Sequence, residues 1–460
     1  MPDRDTIFAL SSGRPPAAIA VVRVCGPRAR SVLEALGRRL PAPRRATLVA
    51  LRDPRDATAL DDAVVLWLPG PRTQTGEDMV ELHVHGGRAV VSAVLAAIGR
   101  VEGLRPAQAG EFIRRAFENG RVDLSAVEGV ADLIAAETEA QRAQALRQAH
   151  GALAGPVEAW RQALMEAMAL IEAGIDFSTE GDVPEGLVGP ALAQAERVRQ
   201  GIADALEDER RGERLREGLV VAIAGPPNAG KSSLLNRLAR RDAAIVSPQA
   251  GTTRDVIEVP LDLDGYPVTV FDTAGIRDPQ DAVEREGVRR ALEKARSADL
   301  VLWVTDASAT GEAARPAAGE AGEVGGRLTW VIANKIDRIA AARPDGDESG
   351  FNAGAEARRT FLTSMTTGAG LEALVAALAE WARATLSGAE SGLLTRARHR
   401  AALTAAAAAI ERALSLGAQG PDELLAEDLR LAARALGRLT GRIDVEDLLD
   451  VIFREFCVGK

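Results

Sequence analysis

The chain has 460 residues, and 56 Lys+Arg against 66 Asp+Glu leave a formal charge of −10. At 47% hydrophobic and 27% charged it reads as globular, with roughly two to four domains of ~100–200 residues, and its acidic balance argues against coating nucleic acid by charge alone. No apolar run reaches about 18 residues, the N-terminus lacks a basic region before an apolar core, and two cysteines cannot build a disulfide framework; the expectation is a cytoplasmic protein without a membrane span.

Residues 1–120 mix short apolar runs with turns. Ala18–Val24 and Ala63–Leu68 read as strands, Met79–Val84 alternates like a half-buried strand, and Val90–Ile98 reads as a helix. Residues 121–215 are Ala-rich and helical. Residues 216–385 alternate strand and helix, which predicts a parallel sheet with crossover helices. Residues 386–460 are helical again. The expected fold class is α/β plus all-α: an N-terminal α/β domain, then a helical domain interrupted by an inserted α/β domain. Ala307–Gly326 and Ala340–Ala357 read as surface loops of the insert.

Only four cations are lysine, namely Lys231, Lys294, Lys335 and Lys460; the other 52 are arginine. Such a bias leaves lysine where an ammonium is wanted. Lys231 ends Gly225-Pro226-Pro227-Asn228-Ala229-Gly230-Lys231-Ser232, between the apolar strand Leu219–Ala224 and the helical Ser233–Leu238. This is G-x-x-x-x-G-K-[ST] in its confirming context. Backbone N–H groups and the helix start wrap phosphates, Lys231 reaches the β and γ phosphates, and Ser232 offers a hydroxyl to Mg²⁺. A planar guanidinium fits poorly there.

The strand Thr329–Ala333 ends in Asn334-Lys335-Ile336-Asp337. A carboxylate at Asp337 accepts from the ring N–H and exocyclic amine of guanine, a donor pair adenine lacks, and the Lys335 stem covers the base. Leu362–Thr366 is placed as a third base element through Ser364 and Met365, its backbone carrying the expectation more than its side chains. Val268–Phe271 leads into Asp272-Thr273-Ala274-Gly275, where Asp272 would hold Mg²⁺ through water and Gly275 would donate to the γ phosphate. In Gly251-Thr252-Thr253-Arg254-Asp255, Thr253 is the expected second Mg²⁺ ligand. These elements, in this order, predict a GTP-hydrolysing domain.

Ras-like GTPases orient the attacking water with a glutamine after the Asp272–Gly275 element. Ile276 stands there, and Asp278, Asp281, Glu284 and Glu286 are the available replacements; the residues alone do not choose among them. Asn228 either binds a monovalent cation beside the phosphates, neutralising transition-state charge, or stabilises the loop. His83 and His85 share a strand face, as a metal pair can, without a third ligand block. Arg38/Arg39/Arg44/Arg45 and Arg396/Arg398/Arg400 are either RNA contacts or solvated faces. Cys457 is either a buried thiol or a reactive one, and nothing is assigned to Lys294.

Five further blocks frame this core: Asp5-Thr6-Ile7 with Ile19–Gly26; Thr75-Gly76-Glu77-Asp78 through His85-Gly86-Gly87; Gly110-Glu111-Phe112 to Arg115-Ala116-Phe117; Asn119-Gly120-Arg121-Val122-Asp123-Leu124; and Glu427-Asp428-Leu429-Arg430 on to Phe456-Cys457-Val458-Gly459-Lys460. Over nearly the whole chain this resembles the MnmE (TrmE) family of tRNA-modification GTPases. The core alone equally fits GTP-switched ribosome-assembly factors, which have no use for the flanking blocks.

The resemblance implies a homodimer with an N-terminal folate-binding and dimerisation domain, a helical domain and an inserted Ras-like G domain. It implies a FAD-dependent MnmG-type partner in a heterotetramer or larger complex. The pair would place an aminomethyl or carboxymethylaminomethyl group on C5 of the wobble uridine of certain tRNAs, with carbon from 5-formyl- or 5,10-methylene-tetrahydrofolate. It implies hydrolysis driven by K⁺-stimulated G-domain dimerisation, with K⁺ held by Asn228, Ser247, Gln249 and Thr252. Glu284 matches the water-orienting acid. Asn228, Lys231 and Gly275 complete the expected catalytic set. Asn228–Ser233, Ser247, Gln249, Gly251–Thr253, Asp272–Gly275, Asn334, Lys335, Asp337, Ser364 and Met365 make up the expected GTP site. Arg23, Glu81, Arg121 and Lys460 match the folate positions, with Arg121 standing where the family usually has lysine. The Pro-Pro-Gly-Arg-Gly-Gly stretch of the family is altered here, at Ser11–Ala18. For Cys457 the resemblance implies a role near the folate or the uridine chemistry.

Overall fold

The computed structural model describes residues 5–37, 40–176, 187–207, 210–241, 243–245, 258–272, 298–307, 328–339 and 359–443, with 449, 452, 453, 456, 458 and 459 near the C-terminus. The chain forms two compact units. One comprises Met1–Ala131, Arg147–Gln200 and Ala402–Lys460; the other comprises Asp132–Leu146 and Gly201–Ala401.

The first unit is built on a six-stranded sheet of β1 (Thr6–Leu10), β2 (Ile19–Cys25), β3 (Thr47–Arg52), β4 (Ala59–Leu68), β5 (Met79–His85) and β6 (Leu104–Pro106), in the order β3-β4-β5-β2-β1-β6. Neighbours are antiparallel except β1 and β6. The alternation in β2 and β5 sends Ala20, Val22, Val24, Val80, Leu82 and Val84 into a core with α1 (Ala29–Gly37) and α2 (Arg88–Ile98). On the other face, Ile7, Ala9, Cys25 and Met79 pack on Phe112 of α3 (Glu111–Glu118). The intervening residues Arg23 and Glu81 lie half-buried on that second face.

Helices α4 (Leu124–Ala135), α5 (Glu139–Ala149), α6 (Ala154–Asp176), α7 (Val188–Leu206) and α8 (Arg211–Glu217) follow. Near the C-terminus, Phe453 and Phe456 join Ile113, Ala116 and Leu124 in one cluster, and Val458 bridges to Ala109. Gly459 approaches β1 so closely that a Cβ there would lie 2.0 Å from the Leu10 carbonyl oxygen, and its carbonyl accepts from Ser11 Oγ at 2.6 Å. Gly459 is therefore seated where β1 ends.

The second unit carries a sheet of β7 (Leu219–Ala224), β8 (Glu258–Leu263), β9 (Tyr266–Asp272), β10 (Leu300–Asp306), β11 (Leu328–Asn334) and β12 (Thr360–Leu362), in the order β12-β11-β10-β7-β9-β8. All pairs are parallel except β8 with β9. The interior strands read as unbroken apolar runs because both faces are covered. Helices α9 (Lys231–Ala239) and α10 (Leu371–Leu386) pack into this core, together with Ala140 and Leu215. The β8–β9 turn is fastened at its far end: Ala140 N–H donates to Gly265 O (3.1 Å), Arg383 pairs with Asp264 (2.9 Å) and Tyr266 Oη donates to Glu390 (3.1 Å).

Helices α11 (Ala397–Leu416) and α12 (Asp422–Thr440) follow; within the first unit α12 lies along α6, with Arg430 on Glu172 at 3.0 Å. Among the described residues one helix, Ala397–Gln419, is long and apolar enough by length and composition to cross a membrane. Its longest uncharged stretch is Ala401–Ile410, between Arg400 and Glu411, about half of the ~20 residues a bilayer requires.

Candidate functional site

The carboxyl ends of β9, β7, β10 and β11 lie side by side, the edge at which open parallel sheets bind ligands. The loop after β7 is a cradle only glycine permits. Gly225 has φ +137° and a Cβ there would sit 2.1 Å from Val304 O; Gly230 has φ +105° and its Cβ would sit 2.2 Å from Asn334 Nδ2. Lys231 opens α9, buried, and its Nζ donates to Gly225 O and Pro226 O, both at 2.8 Å. Burial holds this ammonium below its ordinary range, with Asp272 pulling the other way; an incoming polyphosphate would add to that pull. Ser232 Oγ donates to Asp272 Oδ2 at 2.7 Å, which joins the two oxygens expected around a divalent cation. Asn228 takes φ +61° with its side chain exposed beside the cradle.

Asn334 links the phosphate and base elements. Its Nδ2 donates to Ala229 O (2.8 Å) and its Oδ1 accepts from Met365 N–H (3.1 Å), all buried. Ser364 Oγ donates to Asp337 Oδ1 at 2.5 Å, so this element uses a side chain as well as its backbone. Lys335, at φ +68°, puts Nζ on Asp306 Oδ2 at 2.6 Å. Two contributors were missed in the sequence. Asp306 carries a weak signal, a carboxylate ending an apolar strand. Arg237 carries none; it donates to Met365 O (2.9 Å) and Thr366 O (2.8 Å) from the phosphate-loop helix. Ser247, Gln249, Gly251, Thr252, Thr253, Thr273, Ala274, Gly275, Asp278, Asp281, Glu284, Glu286, Lys294, Cys457 and Lys460 lie outside the described residues, as do Arg38 and Arg39.

A second polar centre lies on the sheet of the first unit. Arg23 and Glu81 are register partners across β2 and β5. Arg23 Nε and Nη2 both donate to Glu81 Oε1 (3.1 and 2.9 Å), and Nη1 donates to Gln74 Oε1 (2.8 Å). The Phe112 ring lies 5.9 Å from the guanidinium. Arg121 is exposed, and its stem packs by Gly76, whose Cβ would lie 3.5 Å from Arg121 Cδ. The 73–78 loop thus runs from Arg23 and Glu81 to Arg121. The seated Gly459 precedes Lys460 and lies by Leu10, which pairs with Val22 next to Arg23.

Beneath that loop is an ion network centred on the buried Arg115. Arg115 bonds Glu77 (3.0 Å) and Glu111 (3.3 Å), and Arg105 forks onto Glu111 (2.9 and 2.6 Å). Cys25 Sγ sits 3.0 Å from Thr75 Oγ1 and 3.2 Å from Glu77 Oε2. Burial, with Glu77 adding to it, pushes the Cys25 thiol up to about 12. In a Cys457→Ser chain, Cys25 is therefore expected to resist alkylation at pH 8 while folded and to react fully in denaturant; rapid native labelling would contradict this.

His83 Nε2 faces Glu81 Oε2 at 3.5 Å and His85 Nδ1 meets Asp61 Oδ1 at 2.7 Å. No group of three or more metal-ligating side chains occurs among the described residues. Arg396 and Arg400 pair with Asp132 (2.7 Å) and Glu213 (3.0 Å), and Arg44 donates to the carbonyls of Pro69 (3.2 Å) and Arg72 (2.6 Å). These arginines have internal work.

The glycine cradle, the buried lysine and the strand-closing Asn334–Asp337 element are set on the fold of a P-loop GTPase. Family models agree along the chain: the GTP-binding protein TrmE N-terminus matches residues 6–121 and the MnmE helical domain matches residues 124–457. The tRNA modification GTPase MnmE of Rhodopseudomonas palustris (strain BisB18) is 57% identical over 462 residues, covering 99% of each chain. That of Bradyrhizobium sp. (strain ORS 278) is 54% identical over 459 residues, covering 100% of each. Among solved structures, the G domain of the T. maritima FeoB iron transporter aligns with 36% of this chain and 98% of its own at 26% identity and a TM-score of 0.26. The chain belongs to the MnmE family.

Proposed function

We propose that this GTPase modifies tRNA, adding a (carboxymethyl)aminomethyl group to C5 of the wobble uridine together with a FAD-dependent MnmG-type partner, as a cytoplasmic homodimer. The one-carbon unit comes from a tetrahydrofolate derivative. The division of labour is 1–120 for folate and dimerisation, 121–215 with 386–460 for the helical domain, and 216–385 for the G domain. The observation that carries the reading is that one chain pairs a nucleotide cradle with an Arg23–Glu81 centre on the sheet against which Gly459 is seated.

In the G domain, Lys231 and the loop N–H groups, Ala229 to Ser233, grip the phosphates, and Asp337, held by Ser364, takes the guanine edge. The Ser232–Asp272 oxygen pair fits Mg²⁺, which Ser232 and Thr253 would hold; it supplies neutralisation of phosphate charge. Asn228, exposed beside the cradle, fits a role in holding K⁺ with Ser247, Gln249 and Thr252. Glu284 orients the attacking water and Gly275 donates to the γ phosphate. In the N-terminal domain the Glu81 carboxylate suits the donor edge of a pterin, while Arg121 and Lys460 suit the glutamate carboxylates.

GTP turnover is expected to rise sharply in K⁺ over Na⁺ and to collapse with Glu284→Ala while GTP still binds. Wobble-uridine modification should disappear from tRNA of a strain lacking the chain. Equal rates in both salts would remove the role of Asn228. Unchanged uridines would turn the reading toward a GTP-switched assembly factor.

A further inference from the structure

We propose that Gln74 is a specificity-determining residue of the Arg23–Glu81 centre: its amide nitrogen donates to the 4-oxo oxygen of the pterin, selecting a 4-oxo over a 4-amino ring. This rests on the folate reading above and names the part of the ligand that is read.

Arg23 Nη1 lies 2.8 Å from the Gln74 side-chain oxygen. A guanidinium has donors only, so the amide oxygen must face it and the NH₂ group must point away. The orientation of an exposed glutamine amide is thereby fixed by chemistry. Both Arg23 contacts with Glu81 fall on Oε1, and among the described residues Oε2 meets His83 Nε2 at 3.5 Å, too long for a strong bond. The centre therefore presents carboxylate acceptors with an amide donor beside them. A pterin edge carries the complement: an exocyclic amine and a ring N–H as donors, then the 4-oxo oxygen as acceptor. A 4-amino ring places N–H groups where Gln74 also has N–H groups.

The loop carrying Gln74 is held in advance. Thr73 Oγ1 donates to Glu77 O (2.7 Å) and Asn119 Nδ2 donates to Thr75 O (2.7 Å), with Thr73 and Thr75 buried. A donor on a pre-set loop loses little entropy on binding, which is what discrimination between two similar rings needs. Gln74 and Gly76 sit two residues apart, one on Arg23 and the other against Arg121, so one short loop touches both arginines.

The test is calorimetric binding of 5-formyltetrahydrofolate and of a 4-amino folate analogue to the full-length chain, its Gln74→Leu, Gln74→Glu and Glu81→Ala variants. Gln74→Leu is expected to weaken the 4-oxo ligand about tenfold and leave the 4-amino ligand nearly unchanged. Gln74→Glu keeps an acceptor for Arg23 and replaces the donor with an acceptor, so the preference should invert toward the 4-amino ring. Equal losses for both ligands would mean that Gln74 only props Arg23 and would overturn the proposal, as would no loss at all. Glu81→Ala separates the two levels. If it abolishes binding while the Gln74 variants do nothing, the folate site stands and the proposal fails. If Glu81→Ala binds normally, the folate reading of this centre fails and takes the proposal with it.

Discussion

Asn334→Ala is expected to weaken GTP binding about a hundredfold, on the order of 3 kcal/mol, more than loss of the Lys335 side chain beside it. Asn334 is 2% exposed and makes two bonds that tie separate loops, to Ala229 O and from Met365 N–H. Alanine leaves a buried carbonyl and a buried N–H without partners, and each such loss costs about 1–3 kcal/mol. It also frees the phosphate loop from the base loop, so both ends of the nucleotide lose their fixed spacing. Lys335 instead meets Asp306, and both are partly exposed, where an ion pair is worth about 0–1 kcal/mol. Asn334→Asp should not rescue binding, because its carboxylate would face the Ala229 carbonyl oxygen. The check is the GTP dissociation constant of each variant; a change under threefold in Asn334→Ala would show that the two loops are set independently.

How much of this was legible in the sequence depends on how local each contact is. The phosphate cradle is local: Leu219–Ala224, two glycines and Lys231 fall within 13 residues, and the structure places strand, loop and helix there. The position of Asp337 after β11 was legible because its motif closes a strand. The bridging geometry of Asn334 was not, since it joins residues 105 and 31 positions apart. Gln74 was hidden for the same reason. Nothing in its neighbourhood announces a partner, and it becomes visible only when β2 and β5 pair and bring Arg23 to it across 51 positions. Arg396 and Arg400 looked like a surface cluster because their acids, Asp132 and Glu213, are far along the chain. The division of the helical segments between two compact units also rests on long-range packing that Ala-rich periodicity does not encode.

Arg115→Leu is the second large effect, and it falls on the N-terminal unit. Arg115 has a side chain 7% exposed, between Glu77 at 16% and Glu111 at 12%. Leucine fills some of the space and leaves two half-buried carboxylates facing each other without this cation. Breaking a buried pair by removing one partner costs about 3–5 kcal/mol, and the remaining fork from Arg105 to Glu111 offsets part of that. A loss on the order of 3 kcal/mol should lower hydrogen-exchange protection in β2 and β5 about a hundredfold at pH 7. The pH dependence follows from the two acids. Burial works against ionisation of Glu77, but its bonds from Cys25 and Arg115 prevail, and the carboxyl stays below its ordinary 4.5; Glu111 behaves likewise through Arg105. The stability they contribute is fully present above that ordinary value and is lost as pH falls through the depressed one. In Arg115→Leu the half-buried Glu77, without this cation, instead gains by taking up a proton. The gap between the two proteins should therefore be widest near neutrality, begin to narrow above pH 4.5 as Glu77 of the variant takes up its proton, and narrow further below 4.5 as the wild-type acids protonate. A gap that stays constant down to pH 4, or protection in β2 and β5 that changes less than fivefold at pH 7, would mean that apolar packing of Phe112 and Met79 holds the 73–78 loop without the ion network.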